Sequence, residues 1–401
     1  MKAFKIKNGL QASRYLLSST TISGSTIDLS LGSMFSTTLS SDPAYTFTNP
    51  PASGVAQAFS LEVAGGTTSF TNDAFSTDIF TGTGGTIAVT NGLDLATDGG
   101  MTWFKRRDGI SDHQIFDSER TGRYRIETNT TAAAADEGAV QWNPQSTGFN
   151  IGGDGGSQIY NSSGDDYVAW TFKKKAKFFD VVTYSGDASS GRMISHNLGS
   201  VPGMIIVKRT NGTGTWYVYH GDLGNTKNLY LNGTSAQATD GAWDNQSPTS
   251  TQFGVSSAGP INGTGEDFVA YLFAHDTADD SLIKCGIYTG NGSTTGPVIN
   301  LGFKPQWLLT KSSSQSNDWT IVDNKRGVVT GGNDARLHPQ SGEAEANNAD
   351  IVDFLADGFQ LTNTGPLNNG NGDIYIYMAI RTSTATDSAI TWPTSIKWPA
   401  G

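Results

Sequence analysis

The 401 residues include a single cysteine, so no intramolecular disulfide framework can hold this fold. That residue, Cys285, lies in Ile283-Lys284-Cys285-Gly286-Ile287, a strand-like setting that predicts a buried, inert thiol. Long apolar runs are missing as well. No stretch approaches the ~20 apolar residues of a membrane span. The basic start, Met1-Lys2-Ala3-Phe4-Lys5-Ile6-Lys7, leads into no apolar core of the roughly 7–15 residues a secretory signal requires. A soluble chain with no membrane partner and no export signal of its own is expected. Positive charge is scarce: 26 Lys and Arg against 37 Asp and Glu leave a net charge of -11. Nucleic acid is therefore not an expected partner, because phosphate binding needs clustered cations.

Glycine is what the chain has in quantity, with 49 residues. Each costs roughly 1 kcal/mol inside a helix, which weighs against a helical fold. Nine Trp, 13 Tyr and 19 Phe still supply the apolar area that a disordered chain lacks. The composition predicts an all-β chain with many turns.

The organisation shows as an internal repeat. Ile205-Ile206-Val207-Lys208 followed by Trp216-Tyr217-Val218-Tyr219 returns as Leu308-Leu309-Thr310-Lys311 with Trp319-Thr320-Ile321-Val322, and as Thr102-Trp103-Phe104-Lys105 with His113-Gln114-Ile115-Phe116. The three lysines fall at 105, 208 and 311, evenly spaced. Phe80-Thr81-Gly82, Tyr184-Ser185-Gly186 and Tyr288-Thr289-Gly290 open the copies; Tyr167-Val168-Ala169-Trp170, Phe268-Val269-Ala270-Tyr271 and Tyr375-Ile376-Tyr377-Met378 close them. In copy two, apolar alternation between Gly- and Asn-containing turns predicts seven strands, near 179–184, 192–196, 203–209, 215–220, 228–232, 253–256 and 267–273. Such a set packs naturally as a β-sandwich or jelly roll. Three tandem sandwiches are expected, over 75–175, 176–281 and 282–383.

The ends fall outside the repeat. Residues 1–70 contain alternating strands around Pro50-Pro51, and Ile390-Thr391-Trp392-Pro393 with Ile396-Lys397-Trp398 alternate again. Neither piece can bury a core alone. Together, 1–70 and 385–401 are expected to form one discontinuous β anchor domain, with Phe47, Pro50, Pro51, Trp392 and Trp398 as its assembly residues.

The run from Ile27 to Val63, with Phe59-Ser60-Leu61-Glu62-Val63, and the closing Trp392-Pro393 and Lys397-Trp398-Pro399-Ala400-Gly401 resemble a β domain of tail-fibre-like virion proteins from marine and cyanobacterial tailed bacteriophages. The repeat also resembles a virion repeat domain of those phages. The likeness is best in copy one, through Lys105-Arg106-Arg107, Ile115-Phe116-Asp117-Ser118-Glu119-Arg120, Thr128-Asn129-Thr130-Thr131, Gly148-Phe149 and Tyr167-Val168-Ala169-Trp170. Copy three keeps Val322-Asp323-Asn324-Lys325-Arg326-Gly327, and copy two replaces the Asp with His220. The resemblance implies a concanavalin-like sandwich and a structural role in the virion, as a tail fibre, knob or appendage. It also implies other virion proteins as partners, a homo-oligomer, trimeric in a fibre, and contact with host-surface polysaccharide. A glycan depolymerase of the tail and a ligand-free capsid or tail cement protein are the alternatives.

No catalytic residues are expected. The local acid pairs are Asp117 with Glu119, Asp165 with Asp166, Glu266 with Asp267 and Asp279 with Asp280. Neighbours on a strand point to opposite faces and cannot share a bond between them. Asp117 and its repeat Asp323, with Arg120 beside the first, suggest a structural ion pair. No cofactor is expected: the five histidines lack ligand spacing, and turn chemistry explains the Asn- and Gly-rich loops at 152–156 and 368–373 without calcium. Tryptophans 103, 170, 216, 307 and 319 lie on repeat strands and read as core. Trp142-Asn143-Pro144-Gln145 and Trp243-Asp244-Asn245-Gln246 sit among turn residues. Trp142, Gln145, Trp243 and Gln246 are thus the candidate glycan-binding residues. The basic run Lys173 to Lys177 is a candidate contact for an anionic sugar.

Overall fold

A computed structural model describes residues 73–382 except 258, 259 and 279, together with six short strands near the two ends. Contacts divide the chain into Asn72–Thr382 and a second unit made of Met1–Thr71 with Ser383–Gly401. The larger unit is all-β apart from single turns such as Leu95–Asp98, where the Asp94 carboxylate caps the Thr97 amide.

Each copy of the repeat builds a large antiparallel sheet and a small one. In copy two the large sheet runs Phe179–Ser185, Asp267–Ala274, Pro202–Arg209, Tyr217–His220, Leu229–Tyr230 in spatial order. Copies one and three repeat that order around their central strands, Asp166–Lys173 and Ile374–Arg381. The small sheets pair Gly148–Ile151 with Ile87–Thr90, Arg192–Ser195 with Gln252–Val255, and Val298–Asn300 with Gly358–Leu361. All seven strands expected in copy two are present. The turn entering the central strand is held the same way three times. Asn161, Asn262 and Asn369 accept the amides of Thr83, Asp187 and Asn291, at 3.0, 3.2 and 2.9 Å. The glycines just before those amides are obligatory: a Cβ on Gly82, Gly186 or Gly290 would lie 2.0–2.3 Å from a backbone oxygen.

The copies are not independent beads. Side chains alternate across a strand, and the central strand is buried on both faces. In copy three, Tyr375, Tyr377 and Ala379 pack into that copy's own core with Phe359 and Leu361. Ile376, Met378 and Ile380 point the other way, into a cluster holding Trp170 and Phe172 of copy one and Tyr271 and Phe273 of copy two. Phe172 lies 5.4 Å from Phe273 and 5.9 Å from Trp307, ring centre to ring centre, edge-on in both cases. Burial on both faces explains why these strands carry continuous apolar runs rather than alternating ones.

The three copies close into a ring, joined head to tail by equivalent hydrogen bonds. The amides of Gly214, Asn317 and Ser111 donate to the carbonyls of Thr131, Thr234 and Gly342 in the preceding copy, at 2.9, 2.9 and 2.8 Å. Ala134, Gln237 and Glu345 reach back to Thr210, Ser313 and Arg107, at 2.8, 2.9 and 2.8 Å. The indoles of Trp216 and Trp319 donate to the carbonyls of Glu127 and Tyr230, both at 2.8 Å. At the third junction position 113 holds a histidine, whose Nδ1 accepts from the Trp103 indole at 3.0 Å. Copy one therefore bonds copy two, copy two bonds copy three, and copy three returns to copy one.

In the smaller unit the strands are parallel. Thr20–Thr21, Met34–Thr38 and Ser60–Ala64 form one sheet; Thr26–Asp28, Tyr45–Thr48 and Ile396–Lys397 form another. The chain visits the two sheets alternately, as in a parallel coil. The last place in the second sheet is taken by the C-terminal strand, Ile396 opposite Tyr45 and Lys397 opposite Thr46. Phe47 falls in the strand Tyr45–Thr48; Pro50, Pro51, Trp392 and Trp398 lie outside the described residues.

Candidate functional site

The junctions resemble one another in backbone but not in chemistry. At the junction of copies one and two, the Asp117 carboxylate is buried 2.6 Å from the Arg120 guanidinium and accepts the Tyr271 hydroxyl at 2.7 Å. Between copies three and one the arrangement recurs. Asp323 is paired with Arg326 at 2.6 Å and accepts the Trp170 indole at 3.0 Å. Arg326 also lies over the Trp170 ring, 5.2 Å from its centre, and reaches Glu345 at 3.1 Å. Each carboxylate caps the short turn that follows it, accepting the amide of Arg120 or Arg326 at 2.9 Å.

Between copies two and three all three partners are exchanged. His220 replaces the Asp, Leu223 the Arg and Met378 the aromatic donor. The His220 Nε2 reaches the Tyr377 carbonyl at 3.3 Å, and its Nδ1 accepts the Asp222 amide at 3.3 Å. Burial pulls the imidazole down to about 4, so the neutral ring holds this junction.

Here a cavity of about 230 Å³ opens to one side. Its wall is His220, Cys285 and Gly203, its rim Val201 and Pro202. Tyr219, Asp222 and His275 also line it. Gly203 makes the space: a Cβ there would lie 2.7 Å from that of Cys285 and 2.8 Å from that of His275. At the equivalent place copy three carries Gln306, whose amide donates to the Arg381 carbonyl at 2.7 Å. Copy one has a shallower depression of about 480 Å³ beside Asp98 and Glu119. Those acids are taken up by Lys173 at 3.0 Å and Lys174 at 2.8 Å. Burial pushes the Cys285 thiol up, which keeps it unreactive.

The candidate sugar platforms are corrected by this structure. Trp142 is 0% and Trp243 2% exposed, so neither ring can stack on a sugar. The Trp142 indole is spent on Thr102 Oγ1 at 3.0 Å, and Trp243 packs edge-on against Tyr219 at 5.6 Å. The polar residues around them make the turn, while the indole anchors it from below. Gln145 bonds the Pro144 carbonyl at 2.8 Å and Gln246 the Asp244 carboxylate at 3.2 Å. Three of the four lysines of the basic run are taken up, Lys173, Lys174 and Lys175 by Asp98, Glu119 and Asp73, and only Lys177 stands exposed outside an ion pair.

Most members of the acid pairs are likewise taken up. Asp165 meets Arg106 at 3.0 Å, Glu266 pairs with Arg209, and Asp166 accepts the Thr81 hydroxyl at 2.8 Å. Asp279 lies outside the described residues. In the loop at 152–156, the Asp154 carboxylate is filled by the amides of Gly156, Ile159, Tyr160 and Asn161 and by the Ser162 hydroxyl. Among the described residues no three His, Cys, Asp or Glu side chains are placed to hold a metal.

Sequence reasoning missed the cavity. Its signal was present in the replacement of Asp by His220 and in the mismatch of Gly203 with Gln306, two places where the repeat breaks its own pattern.

The family model for a domain of unknown function, DUF7483, matches residues 71–383. The chain belongs to this family. The DUF7483 match spans the whole ring, so the three copies together, and not one copy, make the family's unit. Residues of this chain are also 27% identical over 310 positions to a PII-type proteinase of Lactococcus lactis subsp. cremoris. That stretch is 73% of this chain but 14% of the proteinase, too small a share to carry an activity across.

Proposed function

We propose that the protein is a structural component of a tailed-phage particle, a tail fibre, knob or appendage, that displays the DUF7483 ring for contact with host-surface glycan. The observation that carries this reading is the threefold closure of the repeat around a shared aromatic core. A particle exterior calls for a rigid, turn-rich body, and weak contacts multiply when many copies sit on one particle. The alternating parallel strands built from both ends supply the attachment element, next to other virion proteins. Threefold order, which a fibre assembles from three chains, is built here within one, so association into trimers falls to the anchor. The sequence resemblance of Ile27 to Val63 and of the repeat supports the same reading.

A reconstruction of the intact particle tests it. The expected density places this chain on the exterior, with residues 1–70 and 385–401 at the contact and the ring outward. Absence of the chain from purified particles contradicts the reading, and a ring lying flat between capsomers assigns it to cement instead.

A further inference from the structure

The junction of copies two and three departs from its two counterparts in a direction that frees chemistry. At the other two, a buried carboxylate is held by a guanidinium and by an aromatic donor from the neighbouring copy. Here His220 lines a cavity that Gly203 opens, and polar side chains beside it are left without a hydrogen-bond partner. The Asp222 carboxylate, the His275 imidazole and the Tyr219 hydroxyl make no hydrogen bond among the described residues, and Asp222 has only the neutral His220 ring near it, at 4.0 Å. Asp222 and His275 are exposed at the mouth, whereas Tyr219 is buried to 5%. None of the three has the same chemistry in both other copies. Position 219 is Phe116 and Val322 elsewhere, position 222 is Glu119 and Lys325, and position 275 is Lys174 and Thr382.

The lining restricts what can enter. It contains no Lys or Arg, so a phosphate or carboxylate ligand has no fixed countercharge. Its donors do not converge as a metal site. Its apolar part is a rim, with Val201 52% exposed beside Pro202, too little for a lipid tail. At about 230 Å³ it falls below the ~300–1,000 Å³ of pockets for drug-sized ligands, which limits the occupant to about one ring. What remains is a neutral ring with hydroxyls on its edge and C–H groups on its face. We propose that this cavity binds a single sugar residue of a neutral glycan. Asp222 accepts from its hydroxyls, His275 bonds its other edge, and Val201 and Pro202 cover its apolar face. The proposal rests on the glycan-contact reading above and moves that contact from the two buried tryptophans to one junction of the ring.

The test is saturation-transfer NMR on the full chain with D-glucose, D-galactose, N-acetyl-D-glucosamine and L-rhamnose in turn. Transfer to the ring protons of at least one sugar is expected. It should fall at least tenfold in Asp222→Ala, which removes the acceptor, and in Val201→Trp, which roofs the mouth from an exposed position. Glu119→Ala, the matching change in copy one, should leave the signal intact. Unchanged unfolding curves show that the variants fold. No transfer from any of the four sugars, or transfer that survives both Asp222→Ala and Val201→Trp, overturns the site. The particle reconstruction is independent of this outcome, so a failed site and a failed virion assignment are told apart.

Discussion

At the scale of single residues, the ring depends on two buried ion pairs and one neutral substitute. Removing the carboxylate in Asp117→Ala leaves the buried Arg120 guanidinium without its counter-ion, whereas in Asp323→Ala the Arg326 guanidinium keeps Glu345 at 3.1 Å. Asp117→Ala is expected to cost roughly 3–5 kcal/mol and Asp323→Ala less, each read as a lower midpoint in denaturant. His220→Ala breaks only neutral bonds and should cost about 1–3 kcal/mol. Equal losses at 220 and 117 would show that the two junctions do not differ as described. The Asp117 and Asp323 pairs were legible from their spacing and neighbouring Arg. Their aromatic partners were not, because Tyr271 and Trp170 come from another copy, and no local pattern links them.

Three further residues set a pH dependence. Lys105, Lys208 and Lys311 are fully buried, and each amine donates to the carbonyl of its neighbour, at 2.6, 2.7 and 2.5 Å. Burial lowers all three to about 8, against ~10.4 in an unfolded chain. The folded state then binds fewer protons than the unfolded one between these values, so this contribution to stability grows as pH rises and is lost as pH falls through about 8. Above pH ~10 the trend reverses, since unfolded tyrosines ionise while burial holds Tyr271 and Tyr288 well above their usual range. Unfolding free energy should therefore rise from pH 7.5 to 9.5, as measured by urea titration at each pH, and the rise should shrink in Lys208→Met. A steady decline across that interval contradicts the burial of the amines.

At the scale of elements, equivalent segments part company for a local reason. Trp142–Gln145 is a strand, whereas Asp244 and Asn245 take left-handed backbone, with φ of 52° and 53°. Pro144 is locked near −65° and cannot follow them; Asp and Asn are among the few residues that tolerate that region. Asn245→Gly should leave the melting temperature unchanged or slightly higher, while Asn245→Val should cost about 1–2 kcal/mol. An unaffected Asn245→Val contradicts the turn. The strands of copy two were legible to within a residue or two because each was flanked by Gly or Asn turns. Asp166–Lys173 and its counterparts were visible as strands, but the alternation that placed them did not mark their burial on both faces. What lay against the second face was not visible either, because that face is covered by residues about a hundred positions away.

At the scale of the whole molecule, the sequence gives three copies of one pattern, and physics decides that they are not three separate bodies. Each central strand offers its second face to the other two copies, and exposing that face would uncover Trp170, Phe172, Tyr271, Phe273, Met378 and Ile380 together. Residues 75–175, 176–281 and 282–383 are thus legible as units of sequence, while the unit of stability is the ring. The most direct test is native-state hydrogen exchange on the full chain, followed at the strands Asp166–Lys173, Asp267–Ala274 and Ile374–Arg381. With Asp323→Ala introduced in copy three, protection should fall by the same free energy in all three strands. Loss confined to Ile374–Arg381, with the other two strands unmoved, would mean that the copies stand alone and that the ring does not unfold as one.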